Sequence, residues 1–279
     1  MRPDPESPST ARIHRANRHY WELSSSRWET LRDQDRLWQR CPEEPELGFA
    51  GTTLERIREF ASPLTGCKAC ILGSGDNYAA FALAGAGADV TSTDIAEAQL
   101  DVARRRADAL NLKIRFLQAD AADLSALEEN AFDLVCSTNG LFVWIAEPLS
   151  VFREVARILR PGGYYIFYDI HPFQRPWEDR TEPLTMAKSY GDRGPYLSDE
   201  PTTYEFHWTV ADLMNGLFST GFRLRRIDES PADDSSFWEG HSYEPGKSPA
   251  LLDWHRNPRA GLPVWLTVVA EKPESPGTP

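Results

Sequence analysis

At 279 residues, with 41% hydrophobic and 26% charged residues, the chain has the size and composition of a globular protein able to bury a substantial core. A formal charge of −12 argues against a nucleic-acid partner, because phosphate binding needs clustered lysines and arginines. No long apolar run occurs and the first residues lack the apolar core of a signal peptide, so no membrane contact is expected and the expected location is the cytoplasm.

Residues 1–10 are polar and Pro-rich and are expected to be disordered. From Thr10 to about Arg40 the pattern reads as helical, with Trp21, Trp28 and Trp38 among charged residues. This N-terminal segment, about residues 1–50, either packs on the domain or caps a ligand. TTLERIREFA (52–61) is a further short helix. At Cys67 a regular alternation begins. KACILG reads as a strand, NYAAFALAGAG as a helix, ADVTSTD as a strand, and AEAQLDVARRRADALNL as a helix with Leu100, Ala103, Ala107 and Leu110 on one face. KIRFLQAD and AFDLVCST are strands three and four. PLSVFREVARILR is a helix that Pro161, Gly162 and Gly163 should stop, and GYYIFYDI is strand five. The alternation breaks at about 171–203, a Pro-, Gly- and aromatic-rich stretch expected to be an inserted lid. WTVADLMNGLFSTGF resumes a helix and RLRRIDE a strand. A second insertion spans about 229–261, LPVWLTVVAEK closes a seventh strand, and 273–279 form a loose tail. Strands alternating with helices predict an α/β fold, a Rossmann-like, seven-stranded, mostly parallel sheet with helices on both faces. The main domain then runs over about 51–272.

Cys67 and Cys70 form a C-x-x-C, a spacing that can hold a metal. On a strand, however, residues three apart point to opposite faces. Buried structural thiols and no metal site are therefore expected.

The chemistry-bearing signals sit at the ends of the expected strands. Gly73-Ser74-Gly75-Asp76-Asn77 follows the first strand, where glycines let the backbone turn sharply and approach a ligand. Asp94 ends the second strand, with Ile95 next to it, where a carboxylate can accept from both hydroxyls of a ribose. Asp120 and Ala121 follow the third, an acid for an adenine amino group beside a small residue that admits the ring. Ser137, Thr138 and Asn139 end the fourth. Each alone has a structural explanation, since Asp often terminates strands in turns. Their order along consecutive strand tips favours a nucleoside site.

As a set, LGSGDN, TSTDIAEAQLDVA, LQADAADL, FDLVCSTNG and ILRPGGYYIFYDIHPF resemble the class I S-adenosylmethionine-dependent methyltransferases, in the small-molecule, type 11/25-like branch. The resemblance is strong over about residues 60–170. It implies S-adenosyl-L-methionine as cofactor, held by Gly73, Ser74 and Gly75, by Asp94 at the ribose with Gln99 beside it, by Asp120 and Ala121 at the adenine, and by Ile95 and Asn139 nearby. Two departures stand out: Ile71 occupies the place of the acid that usually precedes the first glycine by two residues, and Asn77 that of a third glycine. Asn77, with Tyr20 or Trp28 from the cap, is the candidate to hold the methionine end instead.

Methyl transfer needs a base only when the acceptor must lose a proton. His171, directly after strand five, is the candidate base or substrate contact, with His207 behind it; each has the alternative of a purely structural role. Trp144, Phe142, Phe173, Trp208 and Trp238 are candidates for an aromatic substrate pocket, and otherwise anchor the insertions. The function implied is methylation of an O, N or C atom of a small molecule, of the kind met in secondary metabolism. The alternatives are an NAD-dependent oxidoreductase, weakened because Tyr78 stands where the dinucleotide motif needs its last glycine, and a binding protein without catalysis.

Overall fold

A computed structural model describes residues 8–138, 140–178, 184–199, 201–240 and 246–274. The expectations for residues 1–7, Asn139 and 275–279 lie outside these. In chain order the elements are α1 (Thr10–Asp35), α2 (Leu37–Arg40), α3 (Thr53–Phe60), β1 (Lys68–Leu72), α4 (Tyr78–Gly85), β2 (Asp89–Asp94), α5 (Glu97–Ala109), β3 (Ile114–Gln118), β4 (Phe132–Ser137) and α6 (Pro148–Ile158). They continue with β5 (Leu159–Ile170), β6 (Tyr196–Asp199), β7 (Thr202–Glu205), α7 (Val210–Ser219), β8 (Arg223–Ser230), α8 (Ser236–Glu239) and β9 (Trp265–Glu271).

Seven strands form one sheet in the order β3-β2-β1-β4-β5-β9-β8. β3 through β5 are parallel, and β9 runs antiparallel to both β5 and β8. The chain reverses its direction of growth at β1, so the tips of β1 and β4 flank the switch point at which open α/β sheets bind ligands. Alternation along each strand serves two cores. Cys70, Leu72, Val135, Tyr165, Phe167 and Val268 face α6 and α7; Ala69, Ile71, Leu134, Cys136, Ile166 and Val269 face α3 and α4. Cys67 lies in the second core and Cys70 in the first, so this pair cannot share an ion. All four cysteines are free and buried, and burial raises their thiols, Cys67 to about 11 and Cys41 to about 12. Thiols of that kind are unreactive.

Three details differ from the sequence reading. The helix expected over 10–40 breaks at Arg36, which adopts a left-handed backbone with φ 54°. Pro161, Gly162 and Gly163 do not follow a helix end: α6 has already stopped at Ile158, and β5 absorbs all three across a register shift against β4. The first insertion ends in the hairpin β6–β7, after which Thr209 and Asp212 form a reciprocal capping box that starts α7.

α1 lies across the strand tips and is fixed chiefly by polar contacts; its buried residues are Ile13, His14, Asn17 and Ser25. Asn17 is fully used, donating to the carbonyls of Trp144 (3.1 Å) and Tyr204 (2.9 Å) and accepting from Tyr204 N–H (2.8 Å). Glu22 accepts from the backbone N–H groups of Glu97 (2.9 Å) and Ala98 (3.0 Å), capping α5, whose own N-cap Ala96 has no side chain for the task. Arg106 reaches back to Asp33 at 3.0 Å. The hairpin β6–β7 packs on the same helix through Tyr204 and Phe206 against Ile13.

Candidate functional site

The turn after β1 is built for close approach. Gly73 and Gly75 have φ of 55° and 46°, a region that side chains rarely adopt. A Cβ on Gly73 would lie 2.7 Å from Leu141, whereas at Gly75 it would project into open space. Asn77, also left-handed, holds the turn from within: its amide donates to the Gly75 carbonyl at 2.7 Å and its oxygen accepts from Ser92. Ser74 hydrogen-bonds the Ser92 hydroxyl at 2.6 Å.

Asp94 joins this turn directly. One carboxylate oxygen accepts from Gly75 N–H at 2.9 Å and the other from Ala96 N–H at 2.9 Å. Burial outweighs these bonds and pushes its pKa up to about 6. Each oxygen retains a further lone pair. At the β3 tip, Asp120 accepts from Ala122 N–H (2.9 Å) and from His14 Nδ1 (2.6 Å). His14 Nε2 accepts from Ala146 N–H at 3.2 Å, which fixes the proton on Nδ1. One imidazole of α1 thus ties the β3 tip to the segment after β4. That segment is set by Asp169, whose buried carboxylate accepts from the N–H groups of Gly140 (3.1 Å) and Ile170 (2.7 Å), with burial again raising its pKa.

These groups surround a cavity of about 520 Å³. Gly73, Ser74, Gly75, Asp94, Ile95, Gln99, Asp120 and Ala121 line it together with Trp28 and Trp144. So do Trp21 and Asp76, and several residues not singled out from sequence, among them His14, Asn17, Arg32, Phe49, Tyr168 and Trp265. Lining residues come from the tips of β3, β2, β1, β4 and β5 and the start of β9, a path of about 24 Å at usual strand spacing. α1 forms the roof. A volume of this size suits a nucleoside-sized cofactor with a small second ligand. The donor set fits S-adenosylmethionine: carboxylates for ribose and adenine, small residues Ala119 and Ala121 beside the adenine acid, and open space at Gly75 and Gly140.

Other expected site residues lie elsewhere. Asn77 is buried beneath the turn and does not face the cavity, and Tyr20 stacks on Trp144 (5.6 Å between centroids) from behind. His171 is corrected from candidate base to a structural position. It is fully buried, its Nδ1 accepts from Phe173 N–H at 3.1 Å, and its Nε2 donates to Glu229 at 2.8 Å. Burial lowers its pKa despite Glu229. His207 packs on the Tyr196 ring, and burial with the nearby cations Arg175 and Lys188 lowers it to about 4. Phe142 is a core residue, Trp208 stacks on Phe206 and donates to the Ile145 carbonyl, Phe173 is exposed against Tyr190, and Trp238 lies against Arg259. No described residue between 171 and 261 lines the cavity. Among its described residues, the first insertion braces α1 rather than lining the site itself.

Comparison with known proteins decides the family. Residues 71–167 match the methyltransferase domain family. The chain is 31% identical over 177 residues to an uncharacterized methyltransferase of Bacillus subtilis, YbaJ, covering 59% of this chain and 69% of that protein. It belongs to the class I S-adenosylmethionine-dependent methyltransferases. A ubiquinone biosynthesis O-methyltransferase of Bordetella avium is 32% identical over 114 residues, 41% of this chain and 47% of that protein. The chain thus matches about half the length of that relative. An S-adenosylmethionine-dependent methyltransferase from Mesorhizobium loti shares the fold, with a TM-score of 0.59 at 23% identity over 80% of this chain and 98% of that one. In this methyltransferase the glycine turn, the acid that ends β2 and the acid after β3 line one cavity, together with His14, which the sequence did not single out. A histidine on a polar helix, far from the strands in sequence, carries no local signal of that role.

Proposed function

We propose that the chain transfers the methyl group of S-adenosylmethionine to a small, largely apolar acceptor held under α1. The carrying observation is the junction of Gly75 N–H with the Asp94 carboxylate beneath a roofed cavity that extends on to β5 and β9. Asp94 would hold the ribose and Asp120 the adenine. When bound, the cofactor supplies a methyl group on a positively charged sulfur, open to in-line attack.

The acceptor would occupy the far end, beside Phe49, Thr138, Gly140, Tyr168 and Trp265. Among the described lining residues, that end carries no carboxylate and no imidazole. Such surroundings suit an acceptor that is itself nucleophilic, with most of the acceleration coming from placement, up to roughly 7–11 kcal/mol for well-oriented partners. The rings of Trp21, Trp28 and Trp144 line the cavity and would help to exclude water from the reacting groups. A roofed cavity and a strongly acidic chain disfavour a folded protein or nucleic acid as acceptor. The O-methyltransferase relative favours an oxygen acceptor.

Titration calorimetry tests the reading. S-adenosylhomocysteine is expected to bind while NAD does not, and a panel of small phenols and amines is expected to include an acceptor that releases S-adenosylhomocysteine on turnover. Binding of NAD alone would overturn it.

A further inference from the structure

The amino-acid end of S-adenosylmethionine is a zwitterion, and a partly dry cavity must offer it one cation and one anion. Building on the cofactor reading above, we propose that Arg32 of α1 and Asp76 of the glycine turn form that subsite, so that the roof helix is latched by the ligand it covers. The family's usual acid cannot serve, since Ile71 stands in its place and is buried in the core between the sheet and α4. Asn77, the other candidate, is spent on the turn.

The remaining charges divide cleanly. The charged groups among the described lining residues are Arg32, Asp76, Asp94 and Asp120, beside His14, whose two nitrogens are both engaged. Asp94 and Asp120 sit at the β2 and β3 tips, the nucleoside end. Asp76 follows Gly75 directly, on the β1 side from which the cavity continues towards β4. Arg32 forms an ion pair with it. The guanidinium is already held in place: it lies 5.5 Å from the Trp28 ring centroid, 5.3 Å from that of Tyr78, and 3.8 Å from Asp35. A planar donor fork held so needs little reordering to take a ligand carboxylate, while Asp76 accepts from the ammonium. Because Arg32 is on α1 and Asp76 is on the turn, a ligand bridging both ties roof to floor.

The test compares S-adenosylhomocysteine with 5′-methylthioadenosine, which keeps the nucleoside and sulfur but lacks the amino-acid end. Calorimetry on the full chain is expected to show that Arg32→Met weakens S-adenosylhomocysteine roughly 10- to 100-fold while 5′-methylthioadenosine stays within about threefold. Asp76→Asn should act in the same direction, and Arg32→Lys should recover part of the loss. Retained 5′-methylthioadenosine binding shows that the variants fold. Equal losses for the two ligands, or no loss for either, would overturn the subsite and leave the pair a structural clasp. Equal affinity of the unaltered protein for the two ligands would overturn it as well, with the cofactor reading intact. Binding of neither ligand by the unaltered protein would overturn both readings together.

Discussion

Two histidines at the same edge of the sheet have opposite surroundings. His14 and His171 each engage both ring nitrogens, and each joins a strand tip to another element. His14 projects from α1, faces the cavity and holds the β3-tip acid Asp120; His171 lies under the first insertion, fully buried, and holds Glu229 on β8. The strand-tip rule points to both ends of the sheet, but the rule alone does not say which tips stay open. What decides is the element laid across them. α1 spans β3 to β4 and leaves a cavity beneath, whereas the segment after β5 folds down as a short helical turn capped by His171 itself.

The difference can be broken most decisively at Asp94. Asp94→Ala is expected to weaken S-adenosylhomocysteine at least about 100-fold, since two ligand hydroxyls lose a charged acceptor. Unchanged affinity by calorimetry would remove the ribose assignment. The same carboxylate sets a pH response. Its pKa of about 6 lies above the usual 3.8, so the empty folded protein favours the protonated form, and that contribution to stability is lost as pH rises from about 4 through 6. Ligand hydroxyls prefer the ionised form, so affinity runs the other way and should fall about tenfold from pH 7 to pH 5. A flat profile would mean that Asp94 does not contact the ligand.

His14→Ala sharpens the contrast from the roof side. Loss of its bonds to Asp120 and Ala146 should weaken S-adenosylhomocysteine severalfold, up to about tenfold, and raise proteolytic cleavage within α1. If cleavage and affinity both stay put, the roof is not held by this residue. The smallest effect on binding is expected at His171. His171→Gln should lower the melting temperature by a few degrees, as for a lost buried bond, yet leave affinity and turnover within about twofold. A turnover loss with stability intact would restore His171 to the chemistry.

Much of this was written locally. The seven strands, their alternation with helices and the glycine turn each follow from patterns a few residues long: apolar runs, helical periodicity, and glycines at φ no other residue holds easily. The place of Asp94 and Asp120 on one cavity was legible for the same reason, as acids at the tips of strands that must share one edge.

A helical cap was readable from the sequence, but which of its residues hold the site was decided by tertiary structure. Asn17, Glu22, Arg32 and His14 carry no local signal in a polar helix, and acquire meaning only because α1 meets partners between about 40 and 190 residues away in sequence. The same holds for Tyr168 and Trp265, which reach the cavity because β9 inserts antiparallel beside β5. Aromatic content alone could not separate cavity rings from those that anchor insertions, since burial against protein and burial against ligand favour the same side chains. Strand order and the path of one helix made that choice.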